Sequence, residues 1–389
     1  MRILHTSDWH LGRSFHRVGM LEHQARFVDH LIEVVEAESV DLVVVAGDVY
    51  DRALPHVDAV ALADEALARL ASSRASVVIS SGNHDSAQRL GFSSRLIDAA
   101  GVFIRTDPAG VGRPVLLPDR YGEVAVHALP YLDPIALHEP WQLPVRSHEA
   151  AITAAMRRVR ADLATRPGAR SVVLAHAFVA GAAPSDSERD ISVGGISVVP
   201  TSIFGGIAYT ALGHLHGRQV LTETVRYSGS PLAYSFSEAD HVKGCWLVDL
   251  GPQGVTAVEF VEAPVPRLLA RLSGDLDHLL ADPSYSWAER AWLQATLTDA
   301  QRPLRAMERL QTRFPHTLEI AFTPSGERAE RHRLAAQPHR PGHEIATDFV
   351  REMRGAPATP AERDLLVAAF DSCGDDPDAD PVPATAGSG

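Results

Sequence analysis

Lysine is nearly missing from this chain. Of 36 basic residues, Lys243 is the one that is not arginine. Codon bias in a GC-rich genome accounts for that imbalance, and it leaves any phosphate contacts to arginine. Cysteine is scarce as well. Cys245 and Cys373 lie far apart and lack metal-ligand spacing, so neither a disulfide framework nor a thiolate metal site is indicated. This fits a reducing cytoplasm. No apolar run approaches the roughly 18 residues that suggest a membrane span. The opening "MRILHTSDWH" runs straight into a polar motif, so no signal peptide is expected. Positive charge is also in deficit, with a net charge of −13. Taken alone, that weighs against a nucleic-acid partner. However, Asp371, Asp375, Asp376, Asp378 and Asp380 crowd one tail. Two bound divalent cations would also add positive charge outside this count.

What is present is a 389-residue chain, 45% hydrophobic and 22% charged. That is ordinary for a globular protein and long enough for a large core plus an appendage. "RILHTSD", "DLVVVAGD" and "ASVVISSGN" read as strands. "ARFVDHLIEVVEAE" and "DAVALADEALARLAS", both with helical spacing, fall between them. "DLVVVAGD" is apolar enough to be buried on both faces. After "VAVHALPY" comes the helix "HEAAITAAMRRVRADLATR". Further strands follow: "SVVLAHA", "IAYTALGH", "VRYSGS", "GCWLVDLG" and "VTAVEFVE". The fold class expected is α/β (α+β), a two-sheet β sandwich flanked by helices. The proline-rich "EAPVPR" ends a first domain, 1–264. A small mixed β/α unit is expected over 265–324 and a polar linker over 325–342. A helical segment is expected over 343–373 and a disordered acidic tail over 374–389. Thr359-Pro360-Ala361-Glu362 reads as a capping box opening the last helix.

The chemistry gathers where the strands end. "SDWHLG" offers Asp8 and His10, "AGDVYDR" offers Asp48 and Asp51, and "SGNHD" offers Asn83, His84 and Asp85. "LAHAF" offers His176, and "LGHLHG" offers His214 and His216. In open α/β sheets, ligands collect outside the carboxyl ends of the strands. Residues more than two hundred positions apart can therefore converge. Carboxylate, imidazole and amide ligands without thiolate suit Mn²⁺, Fe²⁺ or Zn²⁺. So many groups exceed the needs of one ion, and two ions sharing a carboxylate would use seven of them. Two ions about 3.5–4 Å apart form the usual clamp for phosphoester hydrolysis. Gly47, Gly82 and Gly213 precede ligands and permit tight turns. A single histidine at a strand end is commonly structural, and His5 and His127 are read that way. The ordered set DxH, GDxxDR, GNHD, strand-end His and GHxH is read as an active site.

That ordered set resembles the calcineurin-like metallophosphoesterase family. "ILHTSDWHLG", "GDVYD", "SGNHDS", "LGHLHG" and "RYSGSPLAYSFSE" resemble its Mre-type repair-nuclease branch. The likeness covers residues 3 to about 238 with specific motifs and the remainder with weaker ones. It implies one ion on Asp8, His10, Asp48 and His216. It implies a second on Asn83, His176 and His214, with Asp48 bridging and Mn²⁺ the expected metal. It sets His84 near the leaving oxygen, with Asp51 as its orienting partner. Asp51 could instead merely cap a turn. The resemblance makes the 265–324 unit a cap that helps bind DNA. Arg271, Arg290, Arg302, Arg305, Arg309 and Arg313 are its candidate phosphate contacts, unless they are solvated helix residues. It assigns the 343–373 helices to gripping an SbcC-type ATPase. The stripe Leu365, Leu366, Ala369 and Phe370 would be the anchor; pattern alone equally allows packing on its own chain.

The activity implied is cleavage of double-stranded DNA ends and hairpins in repair and recombination. The implied assembly is a homodimer of nuclease subunits within a heterotetramer, cytoplasmic and nucleoid-associated. Two alternatives stand beside it. One is a stand-alone phosphodiesterase for small substrates, and the other is a DNA-end tether whose site is idle.

Overall fold

The computed structural model describes residues 1–188, 198–324, 341–354 and 356–374. The expected linker over 325–342 lies almost wholly outside these residues, as does the acidic tail beyond 374.

Two six-stranded sheets form the bulk of the chain. The first has a parallel core of Arg2–Thr6, Leu42–Ala46, Ser76–Ser80 and Val102–Arg105. Gly244–Gly251 runs antiparallel beside Arg2–Thr6, and Gly254–Glu262 closes that edge. The second has a parallel core of Gly122–Ala128, Arg170–His176, Tyr209–Gly213 and Val225–Tyr227.

Side-chain alternation along each strand builds the layers. Ile3, Leu42, Val44 and Val78 meet Val124, Val126, Val172, Leu174, Tyr209 and Ala211 between the sheets. The alternate residues Leu4, Val43, Val45, Val77 and Ile79 face the helices Leu21–Ala37 and Val57–Ala71. Val173, Ala175 and Leu212 of the second sheet pack on the helix His148–Leu163. The order is therefore helix, sheet, sheet, helix. Leu42–Ala46 is buried along its whole length, as its unbroken apolar sequence requires.

The chain divides into two compact units. One holds Met1–Leu272 with Pro283–Ala295 and Leu310–Glu319. The other holds Ser273–Asp282, Thr296–Arg309 and the described residues from Ile320 onward. After residue 264 come the strands Leu269–Gly274, Trp292–Leu297 and Thr317–Phe322, with short helices Leu276–Ala281 and Ala306–Arg313. Within the first unit, Trp292, Leu269 and Leu318 pack with Phe15, Met20, Leu232, Tyr234 and Phe236.

The second unit ends in the helices Gly342–Arg354 and Pro360–Gly374. The capping box is reciprocal: Glu362 N–H donates to Thr359 Oγ1 (3.3 Å) and Thr359 N–H donates to Glu362 Oε2 (2.7 Å). No helix among the described residues is long and apolar enough to cross a membrane.

Candidate dinuclear metal site

All five predicted strand ends point into one cluster. The loop after Arg2–Thr6 runs along the loop after Leu42–Ala46. Asp8 N–H donates to the Gly47 carbonyl, and His10 N–H donates to the Asp48 carbonyl. To turn inward, Asp8, His10, Asp48 and His214 take positive φ, of 53°, 46°, 50° and 101°. Such backbone costs about 1–3 kcal/mol per residue and concentrates at functional sites.

One of the three glycines makes the turn expected of it, and two do different work. Gly47 alone has positive φ, +85°, and a Cβ there would lie 2.3 Å from His176 Nδ1. Gly82 and Gly213 are needed for close approach. A Cβ would meet Asp48 Oδ1 at 2.1 Å or the Ala46 carbonyl at 1.8 Å.

Distances among the side chains suit shared ligation. Metal–nitrogen bonds of about 2.0–2.1 Å place neighbouring ligand atoms about 2.9–3.4 Å apart, from octahedral to tetrahedral geometry. His10 Nε2 and His216 Nε2 are 3.1 Å apart. Asn83 Oδ1 lies 2.9 Å from His176 Nε2 and 3.2 Å from His214 Nδ1. Asp48 faces both sets: its Oδ2 is 3.6 Å from His10 Nε2 and 3.4 Å from His176 Nε2. Asp8, His10 and His216 form one group able to hold a cation, and Asp8, Asp48 and His176 form another. His176 Nδ1–H donates to the Ala46 carbonyl (2.9 Å), which turns Nε2 toward the cluster.

The electrostatics also favour a cation. Burial holds His10 and His214 well below the usual imidazole range, so both present lone pairs. Burial raises Asp8 to about 6. Burial also disfavours charge on Asp48, but the neighbouring His176, His10 and His84 outweigh it and keep the carboxyl ionised. His176, disfavoured as a cation by burial, is raised to about 9 chiefly by the charge of Asp48. A divalent ion would take over the role of that proton.

His84 is half-buried, and its Nδ1–H donates to the Asp51 backbone carbonyl at 2.6 Å. Asp51 thus meets His84 through its main chain. The Asp51 carboxylate instead lies 3.6 Å from His10 Nδ1 and 3.7 Å from Arg13 Nε. Arg52 Nη2 is also 3.7 Å from it. The carbonyl is the closer acceptor because His84 sits over the backbone of the neighbouring loop, fixed by its own N–H on Asp48 Oδ1 (2.8 Å). A nitrogen of His84 also falls within 4.8 Å of ligand atoms of His10 and Asp48. Beside it lies a pocket of about 390 Å³ lined by Arg13, Ser14, Asp51, Arg52 and His84. It brings two guanidinium groups and an imidazole around the Asp51 carboxylate.

Several roles escaped the sequence reading. Asp85 accepts hydrogen bonds from the Val49, Tyr50 and Gly82 N–H groups, clamping the GDVYD loop to the GNHD loop. Gln24 donates to the His10 carbonyl (2.8 Å) and accepts from Gly12 N–H (3.0 Å). Asn83 carried an unused signal, since it is the chain's only asparagine. His5 and His127, given no functional role from the sequence, are buried and hydrogen-bonded. His5 lies between Tyr209 Oη and the Leu212 carbonyl, and His127 bonds Asp162 at 3.0 Å.

The six candidate DNA contacts have different neighbours. Arg271 pairs with Asp240, Arg305 with Glu308, Arg309 with Asp277 and Arg313 with Glu289. Arg302 lies over the Phe322 ring, and Arg290 is exposed. Arg271, Arg290 and Arg313 belong to the first unit and the other three to the second. In the last helix Leu365 is 70% and Phe370 44% exposed, Ala369 is exposed and Leu366 is half-buried.

Residues 1–176 match the calcineurin-like phosphoesterase family, and residues 265–352 match the type 5 capsule protein repressor C-terminal domain. Residues 1–176 are therefore a calcineurin-like phosphoesterase domain. The pairing of these two domains is that of an SbcD-type nuclease subunit within the family. Among solved structures, a novel archaeal phosphodiesterase is 12% identical over 67% of this chain and 100% of its own, with TM-score 0.31. The protein TT1561 of Thermus thermophilus is 12% identical, covering 67% and 98%, with TM-score 0.39. A dimetal phosphatase from Danio rerio is 14% identical, covering 68% and 99%, with TM-score 0.41.

Proposed function

We propose that this chain is a Mn²⁺-dependent DNA exonuclease and endonuclease acting with an SbcC-type ATPase on double-strand ends and hairpins. The observation that carries the hydrolytic part is Asp48. Its one carboxylate oxygen faces His10 on one side and His176 on the other. On this reading Asp8, His10, Asp48 and His216 hold one ion. Asn83, His176 and His214 hold the second, and Asp48 bridges. Bound there, the two ions would lower the pKa of a water between them and neutralise phosphate oxygens.

The chain's own residues supply the rest. Arg13 and Arg52 line the pocket beside His84, where a strand phosphate would sit. As an imidazolium, with Nδ1–H held on the Asp51 carbonyl, His84 would give its Nε2 proton to the leaving oxygen as the phosphorus–oxygen bond breaks and be left as the neutral Nδ1–H imidazole. Substrate class and partner rest on the second matched domain and on the exposed apolar residues of the helix pair. Ile345 and Phe349 accompany Leu365 and Phe370 there. A homodimer is supported by Leu54, Val57, Phe92 and Leu96, all at least 68% exposed. They lie on neighbouring segments joined by Arg89 donating to the Ala53 carbonyl. A cytoplasmic, nucleoid-associated location follows from the substrate.

Duplex DNA with free or hairpin ends, incubated with Mn²⁺ and with or without the partner ATPase and ATP, tests the reading. Cutting that depends on the complex supports it. Hydrolysis of a small phosphodiester without DNA cutting would favour a stand-alone phosphodiesterase. DNA binding with neither activity would favour a tether.

A further inference from the structure

The chain's only lysine is buried behind the proposed metal site. Lys243 is 7% exposed, and its ammonium meets three acceptors: Glu238 Oε2, the His216 carbonyl (2.7 Å) and Ser230 Oγ (3.0 Å). An ammonium has three protons, and each is used. The Ser230 hydroxyl spends its own proton on the Leu232 carbonyl, so it can only accept from Lys243. A planar guanidinium, wider and with its donors in a fixed fork, would not meet three acceptors so disposed. A composition that otherwise replaces lysine by arginine keeps lysine at the one place where this shape matters.

The other carboxylate oxygen of Glu238 accepts from Ser187 Oγ at 2.5 Å, and Ser187 Oγ is 2.5 Å from His216 Nδ1. The proton directions follow. Glu238 is ion-paired with Lys243 through Oε2, so its carboxylate accepts only. The single hydroxyl proton of Ser187 therefore points to Glu238. Ser187 Oγ must then accept from His216, which places the proton of the imidazole on Nδ1. Nε2 is left with its lone pair, and Nε2 is the atom 3.1 Å from His10 Nε2. A second acidic residue, Glu188, receives the His216 backbone N–H at 2.6 Å and fixes the same turn.

We infer that Lys243, Glu238 and Ser187 are positioning residues that lock His216 in the Nδ1–H tautomer and aim Nε2 at one of the two metal positions. The opposite position is set differently, by the Ala46 carbonyl acting on His176. The chain therefore tunes its two ions separately. One histidine is backed by a neutral carbonyl and the other by a carboxylate that reaches it through a hydroxyl. Such outer partners change metal affinity by about 10–100-fold.

This inference rests on the dinuclear reading, and the test separates the two. Calorimetric Mn²⁺ titration of the metal-free full-length chain should show two sites. In Ser187→Ala and Glu238→Gln, one site should weaken by about 10–100-fold while the other keeps its affinity. ¹⁵N-histidine NMR of the metal-free proteins, with His216→Gln used for assignment, should show an Nδ1–H tautomer that Ser187→Ala shifts toward Nε2–H. A wild-type chain that takes fewer than two ions would overturn the dinuclear reading itself. Two wild-type sites left unchanged in both variants would overturn only the positioning role. So would equal weakening of both sites, or an Nε2–H tautomer in the wild type.

Discussion

At the strand ends, Asp8 and His10 are 0% exposed and His176 and His216 are 1% exposed. In the helix Pro360–Gly374, Leu365 is 70% exposed and Phe370 44%. Both regions were singled out from sequence as functional, and they hold their residues in different ways. In the first, four residues accept left-handed backbone and three glycines keep space for their neighbours. Residue type is dictated there by coordination chemistry and leaves little choice. In the second, any apolar side chain of similar size would cover the same surface. A constrained site should therefore fail abruptly when altered, and a contact surface by degrees.

The sharpest contrast should come from Asp48→Ala. Its carboxylate faces both metal positions, so elemental analysis after dialysis should find neither ion. Phosphodiester turnover should fall by about 10³-fold or more. Asn83→Ala should mainly weaken one ion. Two ions retained in Asp48→Ala would remove the bridging role. His84→Gln comes next: both ions should stay, while turnover drops about 10²–10⁴-fold. Normal cutting by that variant would dismiss His84 as the acid.

The difference between the regions also explains what the sequence disclosed. The sandwich was legible because "DLVVVAGD" and "SVVLAHA" are strands buried on both faces, and because Asp, Asn and His cannot end five such strands by packing preference alone. The Asp51 contact was not legible. Main-chain carbonyls have no sequence signature, and the residue beside His84 acts through its backbone. Lys243 and Glu238 were present as composition but lie far from Ser187 in sequence, and only the fold brings them behind His216. The six candidate DNA-contact arginines look basic in sequence, yet four of them already face carboxylates.

On the graded side of the comparison, Leu365→Asp combined with Phe370→Asp should weaken binding to the partner ATPase by about 30-fold. That is the scale of a central apolar contact worth about 2 kcal/mol. Metal content and hydrolysis of a small phosphodiester should not change. Unaltered partner affinity would return the stripe to a surface without a role.

The smallest effect belongs to the cap of that same helix. Thr359 Oγ1 accepts the Glu362 N–H, and Glu362 returns a bond to Thr359 N–H while holding Arg354 at 2.7 Å and 2.8 Å through its two oxygens. Thr359→Ala removes only the hydroxyl's share, about 1 kcal/mol for a helix N-cap. Amide exchange at Glu362 should then quicken by about five-fold, since about 1.4 kcal/mol is a factor of ten. The hydroxyl also donates to Glu362 Oε2 (2.9 Å), but Arg354 keeps both carboxylate oxygens after this change, so Gly342–Arg354 should exchange as before. If Thr359→Ala instead loosened both helices together, the Thr359 hydroxyl would be bracing the pair rather than one helix end. The C-terminal region would then be as tightly constrained as the site, and the contrast between them would fail.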